Sequence, residues 1–225
     1  MFPETALVTG AAGGIGRALV RALEAQGTAV RGLDLVDGFD VSDWEAWQDV
    51  EPADAVFLNA GVLAAGDGSL ADYRRILGVN VDGVVFGVQT LAPKMQRGSA
   101  FVVTASLAGL IPMAADPLYA LTKHAVVGYA RSMADVLEPR GIRINLVNPG
   151  IVRSPMTEPA LPGLDAAGFP LMEPEQIATA MLAAARSAET GQAWGCQPGR
   201  EPIQFRFPNV PGPRVDGAEG MVPPL

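Results

Sequence analysis

The sequence predicts an α/β fold, a doubly wound parallel sheet with helices on both faces. Three observations predict it. Short apolar segments alternate with helix-length segments along the 225 residues, and strands that alternate with helices form parallel sheets. Hydrophobic residues make up 49% of the chain and mean hydropathy is +0.23, which suits a sheet that is buried on both faces. A glycine-rich turn joins the first strand to the first helix.

Each predicted strand is a short apolar run, rich in β-branched residues, that is bounded by turn signals. These strands are residues 5–9, 28–35, 53–61, 99–106, 141–150 and 192–196. Apolar residues at helical spacing predict helices between them, at 15–27, 69–97, 116–139 and 173–188. We expect a single dinucleotide-binding and catalytic domain over residues 1–196. Because the remainder, 197–225, is rich in Pro and Gly, we expect an extended C-terminal arm that is partly disordered at its end.

The connection after the second strand is too short for a complete crossover. Only five residues, 35–39, separate Asp34 from Asp40. A parallel crossover needs about a dozen residues or more, and five extended residues span at most ~18 Å. We therefore expect that the usual third (edge) strand and its crossover helix are missing, which leaves a sheet of six strands.

Composition argues against several classes of function. The net charge of −8 and the pI near 4.6 make a nucleic acid or an anionic membrane a poor partner. A single cysteine, Cys196, excludes an internal disulfide, and a single histidine, His124, leaves no Cys/His metal cluster. The N-terminus has no basic region, and no apolar run reaches the ~18 residues of a membrane span. We expect a cytoplasmic protein without a metal, acting on a small molecule.

The first turn, residues 9–16 (TGAAGGIG), predicts a site for a dinucleotide. Glycine lets the backbone approach a pyrophosphate and lets the helix pack closely on the strand, and the N–H groups at the helix N-terminus hold the phosphates. Asp34 ends the second strand, eighteen residues after Gly16. A carboxylate there accepts hydrogen bonds from a ribose and repels a 2′-phosphate. No basic residue precedes Gly14, so NAD is favoured over NADP, although Arg17 is a counter-signal.

Tyr119 and Lys123 lie one turn apart in the predicted helix 116–139, in a chain that has only two lysines beside fourteen arginines. The pKa of an unperturbed tyrosine is about 10. An ammonium about 4 Å away, at an effective dielectric of about 20, would favour ionisation by about 4 kcal/mol. We therefore expect Lys123 to lower the pKa of Tyr119 toward the range of acid/base catalysis. The alternative is a solvated lysine beside a packing aromatic ring.

Several motifs occur in an order that resembles the short-chain dehydrogenase/reductase family, whose fold is Rossmann-like. They are Thr9-Gly-x-x-x-Gly14-x-Gly16, Asn59-Ala60-Gly61, Asn80, Ser106, Tyr119-x-x-x-Lys123 and Pro149-Gly150. Ser106 precedes Tyr119 by thirteen residues, as the catalytic serine of that family does, and the resemblance covers about residues 5–196. It implies an NAD-dependent oxidoreductase that transfers a hydride between NAD and a secondary alcohol or ketone.

The resemblance also implies a role for each matching residue. Tyr119 would be the acid/base, and Lys123 would bind the nicotinamide ribose and lower the tyrosine pKa. Ser106 would hydrogen-bond the reacting oxygen, and Asn80 would support a water-linked proton path from Lys123. Asp40 and Val41 match an adenine contact, and Ser154 replaces a threonine that binds the nicotinamide carboxamide. The implied cofactor contacts are Gly10, Gly14, Ile15, Gly16, Asp34, Asp40, Val41, Asn59, Ala60, Gly61, Tyr119, Lys123, Pro149, Gly150, Val152 and Ser154.

The segment 154–174 takes the place of the family's substrate lid, and its composition favours a mainly apolar substrate. The apolar residues there and after Ser106 are Met156, Leu161, Leu164, Phe169, Leu171, Met172, Leu107, Leu110, Ile111 and Met113. Arg153 is the only nearby base in this reading. Relatives commonly pair the two long helices, here 69–97 and 116–139, so the resemblance implies a homodimer or homotetramer.

Some assignments remain open at the level of sequence. Asp116 either faces the substrate or caps the helix that follows it. His124 lies about 140° round the helix axis from Tyr119, so we expect a packed or interface residue, and we expect Cys196 to be inert core. For the whole protein, the alternatives are an NADP-dependent ketone reductase of the same fold and a non-catalytic nucleotide-binding regulatory protein.

Overall fold

The apolar runs form one sheet with the strand order β2-β1-β3-β4-β5-β6-β7. The computed structural model describes residues 3–208, 215–217 and 221. The strands are β1 (Thr5–Thr9), β2 (Ala29–Leu33), β3 (Ala55–Leu58), β4 (Ala100–Thr104), β5 (Arg143–Pro149), β6 (Ala193–Cys196) and β7 (Ile203–Gln204). All neighbouring pairs from β2 to β6 are parallel, and β7 is antiparallel to β6. The predicted α/β, Rossmann-like fold with a mainly parallel sheet is confirmed.

The prediction of six strands is wrong, because the beginning of the predicted arm adds a seventh. Ile203 pairs with Gly195 and Gln204 pairs with Trp194, which covers the edge of β6 that would otherwise carry unpaired backbone groups. A two-residue strand in a Pro- and Gly-rich segment has too little alternation to be read from sequence. Residues 209–214, 218–220 and 222–225 of the predicted arm lie outside the described residues.

The segment between β2 and β3 contains no strand, as its length predicts. It holds only single turns of 3-10 helix, at Leu35–Asp37 and Glu45–Trp47, so β2 is an edge strand. Trp47 is fully buried, and its indole N–H donates to the Val41 carbonyl oxygen at 2.9 Å. This segment therefore closes one side of the core with an aromatic ring instead of a crossover helix.

Helices cover both faces of the sheet. They are α1 (Gly14–Glu24), α2 (Leu70–Leu77), α3 (Gly83–Leu91), α4 (Pro117–Leu137), α5 (Leu161–Ala166) and α6 (Pro174–Arg186). Buried residues of α3 and α4 form one apolar cluster with the sheet, and those of α1 and α6 form another. The predicted helix 69–97 is interrupted by a π-helical turn, Gly78–Asp82. By length and composition alone, the helical stretch Leu70–Lys94 is long and apolar enough to cross a membrane. However, 50% of its most apolar 18-residue segment is buried in the fold, as in a core helix.

Because β1 to β6 are parallel, their carboxyl ends meet at one edge of the sheet. Thr9, Asn59, Ser106 and Gly150 lie at or just after the ends of β1, β3, β4 and β5. Ligands of open α/β sheets bind in the crevice at this edge. The fold therefore brings together residues that are separated by about fifty positions along the chain.

Candidate active site

A cleft of about 1160 Å³ runs along the carboxyl ends of the strands. Of the predicted site residues, all except Gly16 and Asn80 line it. Gly16 and Asn80 are buried behind the lining. The predicted residues in the lining are Gly10, Gly14, Ile15, Asp34, Asp40, Val41, Asn59, Ala60, Gly61, Ser106, Tyr119, Lys123, Pro149, Gly150, Val152 and Ser154.

The glycine-rich turn needs glycine for reasons of space. Gly10 has φ +65°, a left-handed conformation that side chains disfavour. A Cβ on Gly16 would overlap the Gly10 carbonyl oxygen, and a Cβ on Gly14 would lie 2.9 Å from Cβ of Ser154. The turn leads directly into the N-terminus of α1, whose first residue is Gly14. The N–H groups of residues 10–13 donate within the protein, so those of the first turn of α1 are the ones placed to hold a pyrophosphate, and the residues present fit a dinucleotide.

Asp34 connects the end of β2 to this turn. Its Oδ2 accepts a hydrogen bond from the Ala12 N–H at 2.9 Å, and its Oδ1 accepts one from the Val36 N–H at 3.2 Å. The carboxylate therefore lies beside the turn, where a ribose hydroxyl would meet it. Arg17 is exposed and does not line the cleft. Arg17, the basic residue that would favour NADP, thus lies outside the cleft.

Asp40 and Val41 line the same end of the cleft as Asp34. The Asp40 carboxylate accepts hydrogen bonds from the Ser42 N–H at 2.9 Å and the Ser42 hydroxyl at 2.7 Å. Val41 is 7% exposed and packs directly over Gly83. The loop that replaces the missing crossover therefore still delivers both residues to the cleft.

Asn59 ties three strand ends together. Its backbone N–H and that of Ala60 donate to Oγ1 of Thr9, and its side-chain Nδ2 donates to the Thr9 carbonyl oxygen at 3.1 Å. Its Oδ1 accepts from the Thr104 hydroxyl at 3.1 Å. Sequence reasoning assigned no role to Thr104 and quoted Thr9 only as part of a motif. The signal that could have found them is a buried threonine at the carboxyl end of each of two parallel strands.

Ser106, Tyr119 and Lys123 meet at the centre of the cleft. Ser106 follows β4, and its hydroxyl accepts a hydrogen bond from the Ala108 N–H at 3.1 Å. Ser106 lies close enough to the Tyr119 hydroxyl to oppose the rise in its pKa. The Lys123 Nζ lies 5.5 Å from the centroid of the Tyr119 ring and donates to the Thr104 carbonyl oxygen at 2.9 Å. Three of the four predicted catalytic side chains are therefore close together, and the fourth, Asn80, lies behind the lining.

The protonation of this group differs from the expectation. Burial raises the pKa of Tyr119, the Ser106 side chain opposes this, and the nearby Asp116 carboxylate adds to the rise. Burial also lowers the pKa of Lys123 to about 8. For the chain alone the pKa of Tyr119 is therefore raised and not lowered, because burial outweighs the opposing effects, and the part that Lys123 plays in ionising the phenol stays a prediction. Both groups are desolvated, and desolvation disfavours their charged forms.

Asn80 lies in the π-helical turn between α2 and α3, an irregularity that is frequent at functional sites. Its Nδ2 donates to the Val62 carbonyl oxygen at 2.9 Å and to the Thr122 hydroxyl at 3.0 Å, and its Oδ1 accepts from the Val62 N–H. A Cβ on Gly61 would lie 3.4 Å from both Asn80 Oδ1 and Lys123 Nζ. Asn80 therefore orders the wall beside Lys123 from behind the cleft.

Ser154 stands at the entrance to the lid. Its N–H donates to the Thr157 hydroxyl at 3.1 Å, and both residues line the cleft. Arg153, the base next to it, pairs with Asp165 at 2.8 Å and with Glu173 at 3.6 Å. The Arg153 side chain is therefore paired with two carboxylates of the lid segment, Asp165 and Glu173.

Asp116 is the N-cap of α4. Its Oδ1 accepts from the Tyr119 N–H at 2.8 Å, and its Oδ2 accepts from the Ala64 N–H at 3.0 Å. Both oxygens therefore serve backbone groups, which favours the capping interpretation over substrate binding. Cys196 is buried, and burial raises its pKa to about 11. His124 is exposed, with its Nδ1 2.9 Å from the Ala120 carbonyl oxygen, so it is not packed within the chain, and an interface position stays a prediction.

Removal of the Asp116 cap is expected to destabilise the fold by about 1–2 kcal/mol in Asp116→Ala, whereas Asp116→Asn is expected to keep most of the stability because asparagine caps almost as well. Urea unfolding measures both. Asp135→Ala is the matched control, since Asp135 is exposed on the same helix. Equal stability of the Asp116→Ala and Asp135→Ala variants would contradict the capping role.

Sequence reasoning missed one charged residue of the lining. Arg200 and its neighbours Gln197 and Pro198 come from the segment that was predicted to be an arm, and they line the cleft after β6. The return of this segment to the sheet as β7 is what places them there. The described lining residues contain two cationic side chains, Lys123 and Arg200, and two carboxylates, Asp34 and Asp40.

Comparison with known proteins shows the family and the fold of the chain. The family model for short chain dehydrogenases matches residues 41–164. A 3-alpha-(or 20-beta)-hydroxysteroid dehydrogenase of Mycobacterium bovis is 34% identical over 189 residues, covering 70% of this chain and 72% of the relative. A meso-2,3-butanediol dehydrogenase of Serratia marcescens is 32% identical over 184 residues, covering 68% and 73%. The crystal structure of BdcA in complex with NADPH is 26% identical, with a TM-score of 0.76 over 85% of this chain and 92% of that one.

Proposed function

This chain belongs to the short-chain dehydrogenase/reductase family, an oxidoreductase family that acts on alcohols or ketones, and from that premise we propose that it transfers a hydride between NAD and a secondary alcohol or ketone. The observation that carries the proposal is the buried group of Ser106, Tyr119 and Lys123 within the dinucleotide cleft. Bound NAD would supply the hydride acceptor for oxidation, and NADH the donor for reduction. The chain supplies binding, orientation and the proton.

Different residues along the cleft would bind different parts of the cofactor and of the substrate. The glycine-rich turn and the α1 N-terminus hold the pyrophosphate, and Asp34 takes the adenosine ribose. Lys123, fixed by Thr104, would bind the nicotinamide ribose. Ser106 and Tyr119 would bind the reacting oxygen of the substrate, since both line the cleft and Ser106 is near enough to affect the pKa of Tyr119.

The protonation state of the Tyr119 phenol determines whether it donates or accepts a proton in each direction of the reaction. Because burial raises its pKa, the phenol is protonated at neutral pH, which is the form that donates a proton to a ketone oxygen in reduction. In the oxidation direction the phenol must accept a proton. The nearest cation is then Lys123, which is charged at pH 7 because its pKa is about 8. Its ammonium over the ring stabilises the phenolate that forms.

The lid favours a substrate of mainly apolar character. Met156 and Phe169 line the cleft while remaining 39% and 47% exposed. Exposed apolar side chains in a cleft are typical of a binding surface. We expect such a substrate to cover both residues and to exclude water from Tyr119.

Assay of NADH formation with cyclic, aromatic and aliphatic secondary alcohols tests the proposal. We expect turnover with NAD and apolar members of the panel, and the reverse reaction with the matching ketones. Tight binding of NADH without turnover of any alcohol or ketone would contradict the proposal and would favour a nucleotide-binding regulatory protein.

The choice of NAD over NADP rests on Asp34. In Asp34→Ala we expect kcat/KM for NAD to fall about tenfold and the NAD-to-NADP ratio to fall further, because a ribose partner is lost and the repulsion of a 2′-phosphate is removed. Asp37→Ala is the control, since Asp37 carries the same charge three residues away but does not line the cleft. An unchanged cofactor ratio in Asp34→Ala, or an equal change in the control, would contradict the assignment.

A homodimer or homotetramer is part of the proposal. It is supported by large exposed apolar side chains on α2 and α4, among them Leu70, Leu121 and Val136, which are 60%, 50% and 61% exposed. Light scattering tests it, and a mass equal to one chain would contradict it.

A further inference from the structure

A second cavity of about 510 Å³ adjoins the cleft, and this volume falls within the usual range of ligand pockets. The two spaces share four lining residues: Leu107, Ile111, Gln197 and Arg200. Leu107 directly follows Ser106, and its methyl groups would lie 3.5 and 3.6 Å from a Cβ on Gly150 and on Gly195. Leu107 and the three other shared residues therefore form a common wall of the two spaces, next to Ser106.

The second cavity combines apolar walls with unpaired positive charge. Leu107, Leu110, Ile111, Ile203 and Phe205 supply the apolar surface, and Arg200 and Arg206 supply the charges. Both arginines are exposed, and within the described part of the chain neither has a hydrogen bond or ion pair. The two arginines lack an acidic partner although acidic residues outnumber basic ones and the net charge of the protein is −8.

The other cations near the substrate are occupied. Arg153 pairs with Asp165 and Glu173 in the lid, and the Lys123 ammonium is held by Thr104. Of the cationic side chains that the structure describes in the cleft lining, Arg200 alone has no partner. It also lies in the wall shared by both cavities, whereas Arg206 lines only the second.

We propose that Arg200 binds a carboxylate at the far end of the substrate, so that the preferred substrate is an apolar secondary alcohol or ketone carrying a carboxylate. The apolar body lies along Leu107 and Ile111, and the reacting carbon stays beside Ser106 and Tyr119. This inference rests on the proposed function, and it adds a class of substrate to it. Arginine suits the role because its planar guanidinium binds a carboxylate through two parallel hydrogen bonds.

The cofactor phosphates are a poorer match for Arg200. The second cavity contains no residue of the glycine-rich turn or of α1, where backbone N–H groups provide the phosphate site. Asp34 and Asp40 follow β2, at the opposite edge of the sheet from β7, which Arg200 precedes, and their carboxylates would repel an anionic substrate. The distribution of charge therefore orients a carboxylate toward Arg200.

The kinetic test compares medium-chain (ω−1)-hydroxy acids with 2-alkanols of the same chain length. For the wild type we expect kcat/KM to be about tenfold or more higher for the acid, as for a charge-assisted hydrogen bond. Arg200→Gln should reduce that ratio about tenfold, mainly through KM, and Arg200→Glu should reverse the preference. Arg74→Gln, which removes one exposed positive charge outside both cavities, is the control and should keep the wild-type ratio.

A binding test needs no turnover. Calorimetry with decanoate, which has no hydroxyl group, should show binding to the wild type that weakens about tenfold in Arg200→Gln, while 1-decanol binds both alike. If decanoate binding depends on Arg200 and no alcohol is turned over, the proposed function fails and the carboxylate site stands. If alcohols are turned over without preference for acids, the function stands and the carboxylate site is wrong. Loss of NADH affinity in Arg200→Gln without loss of decanoate affinity would also overturn the site.

Discussion

Tyr119→Phe is expected to lower kcat about a thousandfold or more, because it removes the hydroxyl proposed to exchange a proton with the substrate oxygen, and general acid/base catalysis contributes about 10²–10⁴-fold. The ring remains, so packing beside Lys123 is preserved and NADH should bind with nearly unchanged affinity. Steady-state turnover and fluorescence titration with NADH measure the two quantities.

Tyr73→Phe provides the matched control for the loss of a phenolic hydroxyl. Tyr73 is 40% exposed on α2 and does not line the cleft, so its variant should keep wild-type turnover. Near-full activity in Tyr119→Phe would show that the proton passes through another group, and the assignment of the acid/base would fail.

Lys123→Met is expected to be nearly inactive yet more stable than the wild type. Burial lowers the pKa of Lys123 from 10.5 to about 8, and each pKa unit corresponds to about 1.4 kcal/mol, so holding the ammonium charged at pH 7 costs about 3 kcal/mol. Loss of the hydrogen bond to Thr104 offsets part of this gain. We expect a net rise of about 1–2 kcal/mol in the free energy of unfolding at pH 7.

The lowered pKa of Lys123 also predicts how the stability of the folded chain changes with pH. Between pH 8 and 10.5 the unfolded chain binds the lysine proton more tightly than the folded chain, so the Lys123 contribution makes stability rise with pH in that window. The stability advantage of Lys123→Met should therefore shrink across it. Lys94→Met is the control, since Lys94 is exposed and binds two carbonyl oxygens at 3.2 Å. An advantage for Lys123→Met that does not change with pH would contradict the buried-ammonium account.

The sequence predicts most of the fold because the burial of strands and helices determines where apolar residues recur along the chain. Apolar runs of β-branched residues become β1 to β6, and the five-residue limit after Asp34 correctly leaves β2 at the sheet edge. The seventh strand escaped because Ile203 and Gln204 form it only by pairing with β6. That pairing is a tertiary contact, which local periodicity does not encode.

For the candidate site, too, some features could be predicted from the sequence and others could not. Motif residues fixed by strand ends and helix starts, such as Gly14, Ser106 and Tyr119, lie in the cleft as predicted. The rise in the pKa of Tyr119 was not predicted, because a spacing of four residues places Lys123 beside the ring but does not show how deeply both groups are buried. Arg200 was missed because its position depends on how the segment after β6 returns to the sheet.

Transfer of deuterium tests the central claim most directly. A secondary alcohol from the assay panel, deuterated at the carbon that bears the hydroxyl, is incubated with the protein and NAD, and the nucleotide is analysed by mass spectrometry. Hydride transfer predicts deuterium in the reduced nicotinamide, a primary isotope effect on the transfer step, and no label with Tyr119→Phe on the same timescale. Reduced nucleotide without deuterium, or bound nucleotide that is never reduced by any alcohol, would contradict the account.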